Sequence, residues 1–169
     1  PISADDTVPE TTAGALVGMA DRLDTIVGCF GAGLVPTGTS DPLGLRRHAL
    51  AVLNIIVERK YRVSMSTLIQ WALEELAEKL KSEPSKVKEN VLQFFRMRLQ
   101  NMVVPGQFTH DVADAVLGRA FDDPVDAMAR MAALQELKQH KEFETLAIGV
   151  KRVLNILKDQ QPDGEPDPS

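Results

Sequence analysis

The sequence predicts an all-α fold, and three observations carry that expectation. Leu, Ala, Val and Met are abundant while only 5% of the chain is aromatic, a balance that suits helices better than a sandwich or barrel. Apolar residues recur at three- and four-residue spacing along most of the chain, with clusters of turn formers between those stretches. No segment alternates with strand period over more than a few residues, and no Asn-Gly or Asp-Gly links two apolar runs. At 169 residues, 44% hydrophobic and 25% charged, the chain can form one compact domain or two small ones. Either would bury roughly two-thirds of the unfolded surface.

The elements follow in order. The opening fourteen residues are turn-rich and start without methionine, which suggests a piece cut from something longer. From about Thr12 to Phe30 the stripe Leu16, Ala20, Leu23, Val27 and Phe30 predicts a first helix, stopped by Gly31 and Gly33. The segment Gly33 to Ser40 holds too many turn formers to be regular. Asp41-Pro42 then reads as a start signal, with Asp41 as N-cap and Pro42 in the first turn of a second helix running to about Lys60. Its stripe is Leu43, Leu50, Leu53 and Val57. On this reading Arg46 and Arg47 fall in the second turn, where no helix-dipole benefit explains them.

A third helix is expected over about Ser66 to Leu80, with Ile69, Leu73, Leu76 and Leu80 on one side. A fourth covers about Ser85 to Met102, with Val87, Val91, Phe94, Phe95 and Met102 apolar, and Pro105-Gly106 breaks it. A fifth spans about Thr109 to Ala120, with Thr109 as cap. A sixth runs from the Asp123-Pro124 cap to about Gln139, and a seventh from about Phe143 to Lys158. Residues 159–169 are acidic and proline-rich and are expected to form a flexible tail.

A net charge of −5 argues against a whole-surface electrostatic grip on nucleic acid. The sign is uneven, however: residues 41–62 carry +3 and 63–102 carry +1, while the flanking stretches are negative. Any RNA contact is therefore local, and DNA is not an expected partner. Lone Cys29 cannot form an internal disulfide, no apolar run reaches membrane-spanning length, and no signal-peptide order is seen at the start. A cytoplasmic setting without a membrane partner is expected.

Asp21 and Asp24 lie three residues apart and so share one face of the first helix, a geometry that suits a metal or a guanidinium. Arginine meets a carboxylate through two parallel hydrogen bonds, so both aspartates are expected to anchor the next loop and the Arg46, Arg47 pair. The functional alternative sends one or both arginines to RNA phosphate. Thr37-Gly38-Thr39-Ser40 lacks the lysine and glycine spacing of a P-loop and reads as a tight interhelical turn. Arg96 and Arg98 either face solvent or extend a basic strip. The chain shows no Ser, His and acid arrangement, no paired-cysteine knuckle and no nucleotide fingerprint, and Tyr61 and Trp71 are too few for a base-stacking platform.

The string Ala20-Asp21-Arg22-Leu23-Asp24, followed by Gly33-Leu34-Val35-Pro36-Thr37-Gly38-Thr39-Ser40-Asp41-Pro42-Leu43-Gly44-Leu45-Arg46-Arg47, resembles the beta subunit of the bacterial two-subunit glycyl-tRNA synthetase. That family's HD-like region reads ADKLD and then a glycine-rich PTGSxDPxxLRR loop and helix. Lys151 to Lys158, KRVLNILK, is similar to the family's KRVxNILK in its helical anticodon-binding part. The likeness covers nearly the whole chain, with about residues 62–140 carrying it only as helical pattern.

The resemblance implies a helical bundle of about seven helices. Residues 1–62 correspond to the second half of an HD-like domain, and 63–158 to a helical body leading into the anticodon-binding region. It implies glycine tRNA and a catalytic alpha subunit as partners, in a tetramer of two alpha and two beta subunits. ATP and magnesium chemistry belong to the alpha subunit, so no cofactor, metal or catalytic residue is expected in this chain. Arg46, Arg47, Lys151 and Arg152 become the candidate tRNA contacts, and Asp21, Asp24 and Asp41 the structural residues. The alternatives are a degenerate HD phosphohydrolase and a helical scaffold binding protein only. HD enzymes place His and His-Asp ligands ahead of the final Asp, whereas the histidines here, His48, His110 and His140, all follow Asp21.

Overall fold

The structure, a computed structural model, describes Pro9 and residues 11–119, 121–140 and 142–159. Among these residues there are seven α-helices and no strand: α1 Thr12–Gly31, α2 Leu45–Glu58, α3 Met65–Glu75, α4 Pro84–Val103, α5 His110–Arg119, α6 Pro124–Leu137 and α7 Glu142–Asp159. A 3-10 turn, Ala77–Lys79, follows α3. The expected all-α class holds. The chain forms two compact units, one ending at Ala132 and the other beginning at Ala133, with the boundary inside α6. The expected tail from residue 160 onward lies outside the described residues.

In the first unit, α1 and α4 form the centre: α1 packs on α2, α3 and α4, while α4 also packs on α2, α3 and α5. The core repeats at helical spacing, as amphipathic faces require: Leu23, Ile26, Val27 and Phe30 from α1, Leu45, Ala49, Val52 and Leu53 from α2, and Val87, Val91, Phe95 and Leu99 from α4. Phe30 meets Phe94 at 5.2 Å between ring centroids in a tilted arrangement, fastening α1 to α4. Leu16 and Ala20, expected in the α1 stripe, are exposed, and Ala15 and Met19 are buried in their place. The face is rotated by about one residue at the start of the helix.

Side-chain caps set several helix starts. Thr11 accepts from the Gly14 N–H, Ser64 from the Thr67 N–H, and Asp123 from the Asp126 N–H. The second helix departs from expectation, since it begins at Leu45, so Pro42 lies outside it, Leu43 is exposed, and Arg46 and Arg47 sit in its first turn. Gly44 at the N-cap position is left-handed, with φ 64°, and has no side chain to cap with. Asp41 supplies the cap from four residues back: its two carboxylate oxygens accept from Leu45 N–H at 2.8 Å and Arg46 N–H at 2.9 Å. The third helix stops at Glu75, short of the expected Leu80, because the chain turns to pass close to the end of α1. Lys81 N–H donates to Gly31 O at 2.9 Å there, and Leu80 packs so tightly that a Cβ on Gly31 falls 2.3 Å from it.

The second unit comprises the end of α6 and helix α7, and none of its described residues is buried. Helix α7 presents Leu146, Val150, Val153, Leu154 and Leu157 at about half exposure. Lys151 and Arg152 are exposed on it.

Candidate functional site

The Gly33–Gly44 connection is held by short-range bonds. Thr37 and Ser40 exchange backbone hydrogen bonds, Thr37 N–H to Ser40 O at 3.1 Å and Ser40 N–H to Thr37 O at 2.8 Å, around a Gly38 with φ 50°. This is the tight turn expected from Thr37-Gly38-Thr39-Ser40. Arg46 reaches back from α2 and donates to Gly38 O at 2.7 Å and Ser40 O at 3.5 Å. Behind it, Arg98 of α4 lies 5.7 Å from the centroid of the Phe94 ring. Burial and the charge of Arg46 push the Arg98 guanidinium below its ordinary range, while Asp41 draws it the other way.

Arg47 behaves differently. Its guanidinium lies back over Gly44, where a Cβ would sit 3.3 Å from Nη2, and among the described residues it makes no ion pair or hydrogen bond. It lines a small notch of about 70 Å³ with Arg22 of α1 and with His48 and Ala51 of α2. Arg22 Nη1 donates to Gly18 O at 2.7 Å, one turn back on its own helix, which fixes this guanidinium at the rim. Nδ1 of His48 is buried without a hydrogen-bond partner among the described residues. The side chains of Arg22 and Arg47 thus flank a space about the size of one oxyanion beside the His48 ring, and arginine forks match phosphate geometry.

The expected pairing of Asp21 and Asp24 with Arg46 and Arg47 does not form. The aspartates project from a different side of α1, exposed, with Asp24 beside Trp71, Glu74 and Glu75 of α3. Partial shielding from water, then the charges of Asp21 and Glu75, raise the Asp24 carboxyl above its ordinary value. Both arginines found other places because α2 begins late, which turns Arg46 toward the loop and Arg47 toward Arg22. Among the described residues, no three of His, Cys, Asp and Glu converge as a metal set. Asp41 accepts from the first N–H groups of α2 across a turn.

Arg22 and His48 were not singled out by sequence reasoning as binding residues. Arg22 and Arg47 are 25 positions apart on different helices, so only tertiary packing brings them together. Of the four candidate tRNA contacts, Arg47 lines the notch, Arg46 clamps the loop beside it, and Lys151 and Arg152 lie in the second unit, each exposed.

A family profile described as glycyl-tRNA synthetase beta subunit matches residues 1–118. The chain belongs to that family. Among its relatives, the glycine–tRNA ligase beta subunit of Syntrophotalea carbinolica is 47% identical over 158 residues, covering 94% of this chain and 23% of the relative. That of Syntrophus aciditrophicus is 43% identical over 169 residues, 100% of this chain and 24% of the relative. That of Geobacter metallireducens is 46% identical over 159 residues, 94% and 23% respectively. The chain therefore spans about a quarter of the length of the relatives it matches. Membership places it in a family of aminoacyl-tRNA ligases, which serve protein biosynthesis. No described helix is long and apolar enough to cross a membrane.

Proposed function

We propose that this chain is a tRNA-handling part of a glycine–tRNA ligase beta subunit, which contacts glycine tRNA and contributes to assembly with the catalytic alpha subunit. The observation that carries the tRNA reading is the notch lined by Arg22, Arg47 and His48, where guanidinium side chains from two helices flank one phosphate-sized space. Phosphate contacts of this kind fix register and supply affinity without reading sequence. Exposed Lys151 and Arg152 on α7 are the second set of proposed contacts, in the part that resembles the anticodon-binding region. Glycine activation with ATP and magnesium is assigned to the alpha subunit, so this chain holds no catalytic residue and no cofactor. The residue-level support is that no nucleophile, base and orienting acid are arranged together in its sequence.

Two measurements on the chain test this. Labelled glycine tRNA binds with an affinity that falls as salt rises, because each neutralised phosphate releases counterions. Glycine-dependent ATP–pyrophosphate exchange stays at background without the alpha subunit. Salt-insensitive or absent tRNA binding contradicts the first statement, and exchange by the chain alone contradicts the second.

A further inference from the structure

A groove of about 440 Å³ lies between α4 and α5 of the first unit, lined by residues other than those of the notch. Lys86, Asn90, Gln93 and Arg96 line it from α4, with Arg119 from the end of α5 and Phe121 just beyond. The four α4 residues follow one another by four, three and three positions, so they share one helix face. From Lys86 to Arg96 that face runs about 15 Å at 1.5 Å per residue. Cations therefore stand at both ends of a track whose middle carries two amides.

None of the side chains of Lys86, Arg96 and Arg119 makes an ion pair or hydrogen bond among the described residues. Glu89 is the one acid lining the groove. Three unneutralised cations against one carboxylate give the groove a local excess of positive charge in a chain whose net charge is −5. Lys86 lies in the first turn of α4, where the helix dipole opposes a cation, so helix stability does not account for it. Arg96 lies across Gly118, where a Cβ would sit 3.9 Å from Nη2, so its guanidinium bridges α4 and α5 above the buried Leu117. Phe121 is half-buried, with part of its ring surface open to the groove.

We infer that this groove binds an unpaired stretch of RNA, with Lys86 at one end and Arg96 and Arg119 at the other holding successive backbone phosphates. Asn90 and Gln93 offer both donors and acceptors to a base edge, and Phe121 supplies a stacking face. The inference rests on the reading of the chain as RNA-handling, and it adds a site distinct from the Arg22, Arg47 and His48 notch.

The test is glycine tRNA binding by the chain across a salt series, for wild type, for Arg96→Gln with Arg119→Gln, and for Lys79→Gln as an exposed cation outside the groove. The double variant is expected to bind about tenfold more weakly, with a log-affinity against log-salt slope shallower by about 1.4, as two lost single-strand phosphate contacts require. K79Q is expected to match wild type, and circular dichroism to show unchanged helicity in all three. Wild-type binding that the double variant retains in full overturns the groove while leaving the proposed function standing. Absence of salt-dependent binding by wild type overturns both. Loss of alpha-subunit binding by the double variant with tRNA affinity intact assigns the groove to a protein partner and likewise overturns the RNA assignment.

Discussion

The backbone N–H of Arg46 donates to Oδ2 of Asp41 at 2.9 Å, while the guanidinium of the same arginine donates to Gly38 O at 2.7 Å. One residue thus closes the interhelical loop from both ends. Asp41 satisfies two of the N–H groups left open at the start of α2, which its left-handed Gly44 cannot do. Asp41→Ala should destabilise the fold by about 1–2 kcal/mol, within the range for a lost helix cap. Asp41→Asn should recover part of that, since one amide oxygen still accepts. Urea unfolding of the two variants beside wild type checks this. Equal stability of D41A and wild type would remove the cap from the account.

Gly31 packs closely against Leu80. A methyl group there falls 2.3 Å from Leu80 Cδ2, and the adjacent Lys81 is tied to the Gly31 carbonyl, so Leu80 has to swing away from α1. Gly31→Ala should cost about 1–3 kcal/mol by overpacking, despite the better helix propensity of alanine. Adding Leu80→Ala should restore part of the loss. A double-mutant cycle by thermal unfolding measures the coupling, and strict additivity contradicts the contact.

The α2–α3 connection and the start of α6 are joined by carboxylates. Asp122 accepts from Ser66 N–H at 2.8 Å, and Arg62 pairs with Asp123 at 2.5 Å. Shielding from water raises the Asp122 carboxyl, but the Ser66 amide, the hydroxyls of Ser64 and Ser66, and Lys88 outweigh it, leaving the group below its ordinary value of 3.8. A carboxyl held low in the folded state adds stability above its unfolded pKa and loses it as pH falls through the folded one. Asp122→Ala should therefore lower Tm at neutral pH, with the gap to wild type closing below about pH 4. Thermal unfolding across pH follows this, and a gap that widens with acid reverses the sign.

The helices were legible because their apolar periodicity and caps are local: α4, α5 and α6 start within one residue of their signals, and Asp123 caps α6 as its position predicts. Helix α2 was misplaced because Asp41-Pro42 carries a start signal that the left-handed Gly44 defers by a turn. The site was less legible for a different reason. Asp21 and Asp24 share a face with each other, but which helix that face meets depends on packing, and it meets the acidic Glu74 and Glu75 of α3. The notch joins Arg22 to Arg47 and His48 across two helices, and no spacing within one segment encodes that.

The central claim is that the notch holds a tRNA phosphate, and the most direct measurement is glycine tRNA affinity as a function of salt for wild type, Arg47→Gln and Arg46→Gln. Among the described residues the Arg47 guanidinium has no partner to lose, so R47Q should keep the wild-type Tm and bind several-fold more weakly, with a salt slope shallower by about 0.7–0.9. Arg46 holds Gly38 and Ser40, so R46Q should lower Tm first. An R47Q variant with wild-type affinity and wild-type salt slope would contradict the account.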